Sequence, residues 1–235
     1  MLRPLASLFC ALLLTSPALS KTKITESTFN FEGKVRTYYC FIPEQDGPLP
    51  LVVLLHGSGR NGLVMADAWK GLAAKEHFII AAPDSYDPSR WDSDVDSHGF
   101  LKAMISQVNA SHAVDANRIY LFGHSGGAVF ALGLALLQSD LYAAVAVHAG
   151  ALPAGNSDLL GRAPRRIPIA IWVGDRDPFF PIDLVKQTKT EFESSGFRVQ
   201  LTVLPNETHS YEDVSDSVNR DAWAFFQKAV SEMRK

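Results

Sequence analysis

Cysteine is almost missing: the 235 residues hold two, Cys10 and Cys40. Cys10 sits in an N-terminal stretch expected to be cleaved off, so Cys40 has no intramolecular partner and no disulfide framework is expected. The fold must then rest on its core. Cys40 also lacks the accompanying His motif a thiol nucleophile needs, and its place in an apparent strand reads as a small buried hydrophobe. Charge of one sign is lacking too. Lys and Arg total 22 against 25 Asp and Glu, a formal net charge of −3, which offers no basic field for nucleic acid. The densest basic stretch, Arg162, Arg165 and Arg166, reads as a solvated loop. Repeats, low-complexity tracts and linker-scale segments are absent, so a single domain over 21–235 is expected. No apolar run approaches the ~20 residues that cross a bilayer, and no membrane anchor is expected.

What the chain has begins at its N-terminus. Arg3 precedes an apolar run from Leu5 to Leu14, and Ala18-Leu19-Ser20 is a small-x-small site. This is the pattern of a signal peptide over 1–20, which places the processed protein outside the cytoplasm, secreted or periplasmic.

Beyond it, hydrophobic residues make up 47% of the chain, enough for a substantial core. Segments 26–32 and 35–42 read as a hairpin around Glu32-Gly33-Lys34. Continuous apolar runs follow at 51–55, 78–82, 119–122, 143–147, 167–173 and 199–204, the mark of strands covered on both faces. Helical patterns lie between them at 62–75, 97–110, 126–138 and 183–195, with a last one at 216–233. In that last segment Val218, Ala222, Phe225, Phe226 and Ala229 recur at helical spacing, as core residues do. This alternation predicts an α/β class fold, a mostly parallel doubly wound sheet behind an antiparallel hairpin. The irregular stretches 83–96 and 149–166 follow strand C-termini, where open α/β sheets place their sites. Neither is long enough for a large cap domain.

Gly123-His124-Ser125-Gly126-Gly127 follows the strand at 119–122 and precedes an Ala/Leu-rich helix. This is G-x-S-x-G in a strand–turn–helix context, where flanking glycines permit a sharp turn that lifts Ser125 above the sheet. Together with Leu55-His56-Gly57, Ala82-Pro83-Asp84 and Asp115-x-x-Arg118-Ile119-Tyr120, it makes residues 30–230 resemble the α/β-hydrolase superfamily. The narrower resemblance is to secreted esterases of the polyhydroxybutyrate depolymerase and feruloyl esterase group, with dienelactone hydrolases as cousins.

The resemblance implies a serine nucleophile, an acid and a histidine in that chain order. Only His148 and His209 follow Ser125, and His148 ends the next strand, too early for the base. His209, after the strand at 199–204, is the candidate. Gly174-Asp175-Arg176-Asp177-Pro178-Phe179-Phe180-Pro181 offers two acids that spacing alone barely separates. The family's G-x-x-D-x-x-x-P pattern favours Asp177 and leaves Asp175 as a turn residue; Asp183 reads as a helix N-cap. The N–H of Gly126 is expected in an oxyanion hole. The resemblance adds that of Ser58, with His56 as a brace. Trp91, Phe179 and Tyr211 are candidates to line a substrate site, with Trp69 and Phe180 beside them.

Asp92, Asp94, Asp96 and His98 lack the glycine and glutamate of a calcium loop; a solvated loop leading into a helix is expected. Asn109-Ala-Ser111 and Asn206-Glu-Thr208 are glycosylation sequons. The activity implied is hydrolysis of carboxylic esters through an acyl-enzyme, without metal or organic cofactor. The substrate would be a small or polymer-attached ester: feruloyl or aryl, short-acyl, or polyester. Two other readings stand beside it, a serine peptidase of the prolyl oligopeptidase-like group and a non-catalytic binding protein.

Overall fold

Alternation along one strand explains how the molecule is layered. In the third strand, β3 (Leu49–Leu55), every residue is buried. Leu51, Val53 and Leu55 point into one core, Val52 and Leu54 into another, because successive side chains leave opposite faces of a sheet. Each such aliphatic side chain stabilises the fold by roughly 1.5–3 kcal/mol on burial. A strand so placed must have helices on both sides.

The computed structural model describes residues 23–153, 155 and 157–233. The expected signal segment lies outside them. After β1 (Thr25–Phe31) and β2 (Lys34–Phe41) come β3, α1 (Gly62–Glu76), β4 (Ile79–Pro83), α2 (His98–Ser111) and β5 (Val114–His124). Then follow α3 (Gly126–Leu137), β6 (Ala144–His148), α4 (Ser157–Leu160), β7 (Ile169–Gly174), α5 (Ile182–Ser194), β8 (Val199–Leu204) and α6 (Ser215–Met233). The eight strands form one sheet in the order β1-β2-β4-β3-β5-β6-β7-β8. β4 through β8 pair in parallel, while β1–β2 and β2–β4 are antiparallel. Helices α2, α3 and α5 cover one face, and α1 and α6 the other.

The expected α/β architecture and its N-terminal hairpin are present. Glu32 and Gly33 turn the hairpin with φ of 51° and 77°, the two positive φ values of a type I′ turn. Four details differ from the sequence reading. β5 starts at Val114, five residues before the apolar run at Ile119, because Val114 pairs with Leu49 across a bulge. The short α4 interrupts the loop after β6. Helix α5 is capped at Pro181, so Asp183 lies in its first turn with a fully exposed carboxylate.

The fourth difference concerns Asp96, which is buried beneath the loop after β4 and not solvated. Its carboxylate accepts from Arg36 Nη2 at 2.5 Å and from the backbone N–H groups of Tyr86 and Asp92, both at 2.9 Å. Arg36 also donates to the carbonyls of Val95 and Asp84 and lies 3.5 Å from the Phe100 ring centroid. Nothing in the aspartate spacing revealed this, since the partner comes from β2, sixty residues earlier. Cys40, as expected, is buried.

Candidate active site

The turn after β5 sets the chemistry. Ser125 adopts φ 54° and ψ −118°, a positive-φ conformation that costs a non-glycine residue about 1–3 kcal/mol. Its surroundings hold it there. Ser125 N–H donates to His148 O at 3.0 Å, and Ser125 O accepts from Ala128 and Val129. Ser125 is the N-cap of α3, yet its hydroxyl makes no cap hydrogen bond. The backbone turn points Oγ away from the helix. Gly127 allows this turn to seat against β3: a Cβ there would stand 2.4 Å from Leu55 O and 2.6 Å from His56 O.

Oγ meets His209 Nε2 at 2.9 Å, and His209 Nδ1 meets Asp177 Oδ2 at 2.9 Å. A carboxylate can only accept, so Nδ1 carries the proton and Nε2 is left to accept from the serine. Asp177 Oδ1 takes the N–H groups of Phe179 and Phe180 at 2.8 and 2.9 Å. Both its oxygens are thus engaged and its side chain is fully buried. The loops bearing acid and histidine run close together at Gly174, where a Cβ would lie 2.3 Å from Glu207 O. Asp177, and not Asp175, touches the imidazole; Asp175 is exposed.

Opposite the histidine, Ser58 lies against Gly126. A Cβ on Gly126 would be 2.7 Å from Ser58 Oγ and 3.5 Å from Ser58 N. Among the described residues no protein acceptor takes the Ser58 N–H, and that of Gly126 belongs to a helix's unsatisfied first turn. His56 steadies this loop from below. Its Nδ1 donates to Gly57 O at 2.9 Å, and its Nε2 accepts from Ser85 N–H at 3.0 Å. Burial lowers its pKa and keeps it neutral. Trp91 Nε1 donates to His56 O at 2.8 Å, while its ring stacks on Phe130.

Phe179 is 69% exposed and sets its edge against the His209 ring, with Phe180 stacked on the same imidazole. Phe179 thus touches the His209 imidazole, whereas the contacts of Trp91 are with His56 and Phe130. Tyr211 does not line the site. It is buried, its hydroxyl accepting from Trp69 Nε1 at 2.7 Å and donating to Asn219 Oδ1 at 2.5 Å. Its ring stacks under His124, so it belongs to the core with Trp69.

Sequence reasoning overlooked the second pair of imidazoles. His124 and His148 occupy paired positions on β5 and β6, and their Nδ1 atoms approach to 3.0 Å. Desolvation pushes His124 down to about 4 and His148 down to about 3. Both are neutral near pH 7, so one donates and the other accepts. The only available signal was the adjacency of the two strands, which places both histidines at the sheet's C-terminal edge. A further unanticipated contact joins the two catalytic-side loops: Arg60 Nη2 meets Glu212 Oε1 at 2.6 Å.

Comparison with known proteins places the chain among esterase-like relatives. The chain is 32% identical over 146 residues to a Nocardia uniformis subsp. tsuyamanensis protein named "Putative esterase NocK", a match covering 57% of this chain and 42% of that one. It is 27% identical over 140 residues to a poly(3-hydroxybutyrate) depolymerase of Ralstonia pickettii, covering 51% of this chain and 29% of the other. The matches thus span less than half the length of either relative. Among solved structures, a ferulic acid esterase of the anaerobic fungus Anaeromyces mucronatus superposes with a TM-score of 0.70 at 17% identity, over 84% of this chain and 88% of that one. That similarity shows the same fold. The model of the Dienelactone hydrolase family matches residues 81–233, from β4 through the elbow, acid and histidine to α6, and the chain belongs to that family.

Proposed function

We propose that this protein is an exported serine esterase that hydrolyses carboxylic esters through an acyl-enzyme. The observation that carries the reading is the continuous chain Ser125 Oγ–His209–Asp177, at 2.9 Å per link, facing the paired backbone of Ser58 and Gly126. The serine hydroxyl is a weak nucleophile until an adjacent base takes its proton. His209 Nε2 takes it as Oγ bonds to the ester carbonyl carbon. Asp177, held by two backbone N–H groups, keeps the imidazole in the required tautomer and stabilises the cation that forms. The carbonyl oxygen becomes an oxyanion that the N–H groups of Ser58 and Gly126 stabilise. Collapse breaks the bond to the alcohol, whose oxygen takes the proton from His209. Water, deprotonated by the same nitrogen, then releases the acid and restores Ser125.

The rings of Phe179 and Phe180 against His209 support an aryl, feruloyl or short acyl group. The N-terminal run of the sequence supports export. Ser125→Ala is expected to lower turnover of p-nitrophenyl acetate by at least about 10³-fold and to abolish labelling by a fluorophosphonate. Undiminished turnover in that variant would remove Ser125 from the mechanism.

A further inference from the structure

Two imidazoles beside the nucleophile take no part in the ester-cleaving steps: His124 and His148, the paired last residues of β5 and β6. We propose that they form a tautomer lock, in which His148 donates its Nδ1–H to His124 and so makes His124 a neutral, Nε2-protonated ring that positions His209. The inference rests on the esterase reading above and adds two positioning residues to it.

Counting donors gives the direction of the bond. The two Nδ1 atoms stand 3.0 Å apart, and between neutral rings one must donate and the other accept. The outer nitrogens differ in surroundings. His148 Nε2 is buried and, among the described residues, has no hydrogen-bond partner, whereas the His124 ring is partly exposed. With His124 as donor, the His148 proton would sit on Nε2, enclosed with nothing to receive it. A stranded buried N–H is a rarer defect than an unused lone pair. With His148 as donor, the outer proton lies on His124 Nε2, where water can take it. The His148 carbonyl gives no reason for the reverse, since it already accepts the Ser125 N–H at 3.0 Å. Desolvation holds both rings well below the ordinary histidine range, so the neutral arrangement persists near pH 7.

Ring contacts carry this arrangement to the base. The His124 centroid lies 5.1 Å from that of His209, whose imidazole also bears Phe180 stacked at 5.7 Å. His124 is itself held on other sides, by Tyr211 at 5.1 Å and 18° and by His148 at 5.1 Å and 26°. Its Cδ2–Nε2 edge meets the oxyanion loop: a Cβ on Gly57 would stand 3.0 Å from Cδ2 and 3.5 Å from Nε2. One ring thus spaces the base from that loop, and the bond from His148 sets its plane. Protonated at Nε2, His124 offers no lone pair there and does not compete with His209 for a proton. Without the lock it would lose its fixed plane and turn a bare nitrogen toward water.

The test reads tautomers and turnover together. Nitrogen-15 NMR of the wild-type histidine rings at neutral pH is expected to find the proton on Nε2 of His124 and on Nδ1 of His148, a result that stands even where a variant fails to fold. His148→Phe keeps a ring of similar size and removes the donor. Its kcat on p-nitrophenyl acetate is expected to fall about ten-fold with KM within about two-fold, because a slightly misplaced base slows the step without weakening binding. His148→Asn restores an N–H near the lost Nδ1 and is expected to keep kcat within about three-fold of wild type. Because the two rings act through one bond, His124→Phe combined with His148→Phe is expected to lose no more than the worse single variant. A proton on His148 Nε2, wild-type kcat in His148→Phe, or an asparagine variant no better than phenylalanine overturns the lock and leaves the Ser125 reading standing. Undiminished turnover by Ser125→Ala overturns that reading and the positioning role with it.

Discussion

Replacing Asp96 with alanine should destabilise this protein strongly although the residue lies outside the candidate triad. The residue is fully buried, and its partner Arg36 is 2% exposed. Burial already pulls the Arg36 pKa down, and Asp96 opposes that pull most. Without the carboxylate, a guanidinium stays enclosed against Phe100 with only two carbonyl partners, and the N–H groups of Tyr86 and Asp92 lose their acceptor. Removing one partner of a buried pair costs about 3–5 kcal/mol. At roughly 2–4 °C per kcal/mol for a domain of this size, the melting temperature should drop by about 6–20 °C.

Asp96→Asn keeps an acceptor oxygen and should lose roughly half as much. The consequence should reach the site, because the loop stapled by this pair carries Trp91, whose indole holds His56 O at the base of the oxyanion loop. Turnover of p-nitrophenyl acetate by Asp96→Ala should fall by about ten-fold, less than the 10²–10³ that losing an oxyanion donor outright costs. Guanidinium unfolding at constant m-value reads the stability, and initial rates at low temperature read the activity. A loss of under about 1 kcal/mol in Asp96→Ala would refute the reasoning, as would an asparagine variant no better than alanine.

Two further outcomes follow from the same structure. His124 and His148 have folded pKa values of about 4 and about 3, below the ordinary 6.5, so between those limits the unfolded chain binds more protons. Their contribution to stability is therefore complete above pH 6.5 and is lost as pH falls toward the folded values, by up to about 1.4 kcal/mol per pH unit for each histidine. Denaturant midpoints from pH 7 to pH 4.5 should fall less steeply in His148→Phe than in wild type; parallel slopes would show that the pair does not titrate on unfolding. Tyr211→Phe strands Trp69 Nε1–H and Asn219 Oδ1 without their shared hydroxyl, and should cost about 1–3 kcal/mol with little change in KM. A raised KM at undiminished stability would return Tyr211 to the substrate site.

Much of the architecture was legible because local pattern and global fold agree. Apolar runs such as Leu51–Leu55 can exist in a soluble protein only between two layers of helix. The elbow was legible because a sharp turn needs small residues at fixed offsets, so Gly123 and Gly127 flank Ser125. Limits set in where contacts join distant segments. Asp92, Asp94 and Asp96 look alike in sequence, and only a guanidinium from β2 makes the third a buried anchor. Tyr211 and Phe179 are both aromatic residues in loops near the acid or histidine, yet one faces the core and the other the solvent.

The sequence by itself determined the fold class, and it supplied the candidate nucleophile and the order in which a candidate acid and base follow it, since these depend on periodicity and on short motifs. Choosing between Asp175 and Asp177 on geometry, and seating Ser58 against Gly126, took the tertiary structure. So did pairing His124 with His148. The physical reason is that each of these is a distance between residues on different strands or loops. Sheet order and register set such distances to within an ångström or so, and no local property of the chain encodes them.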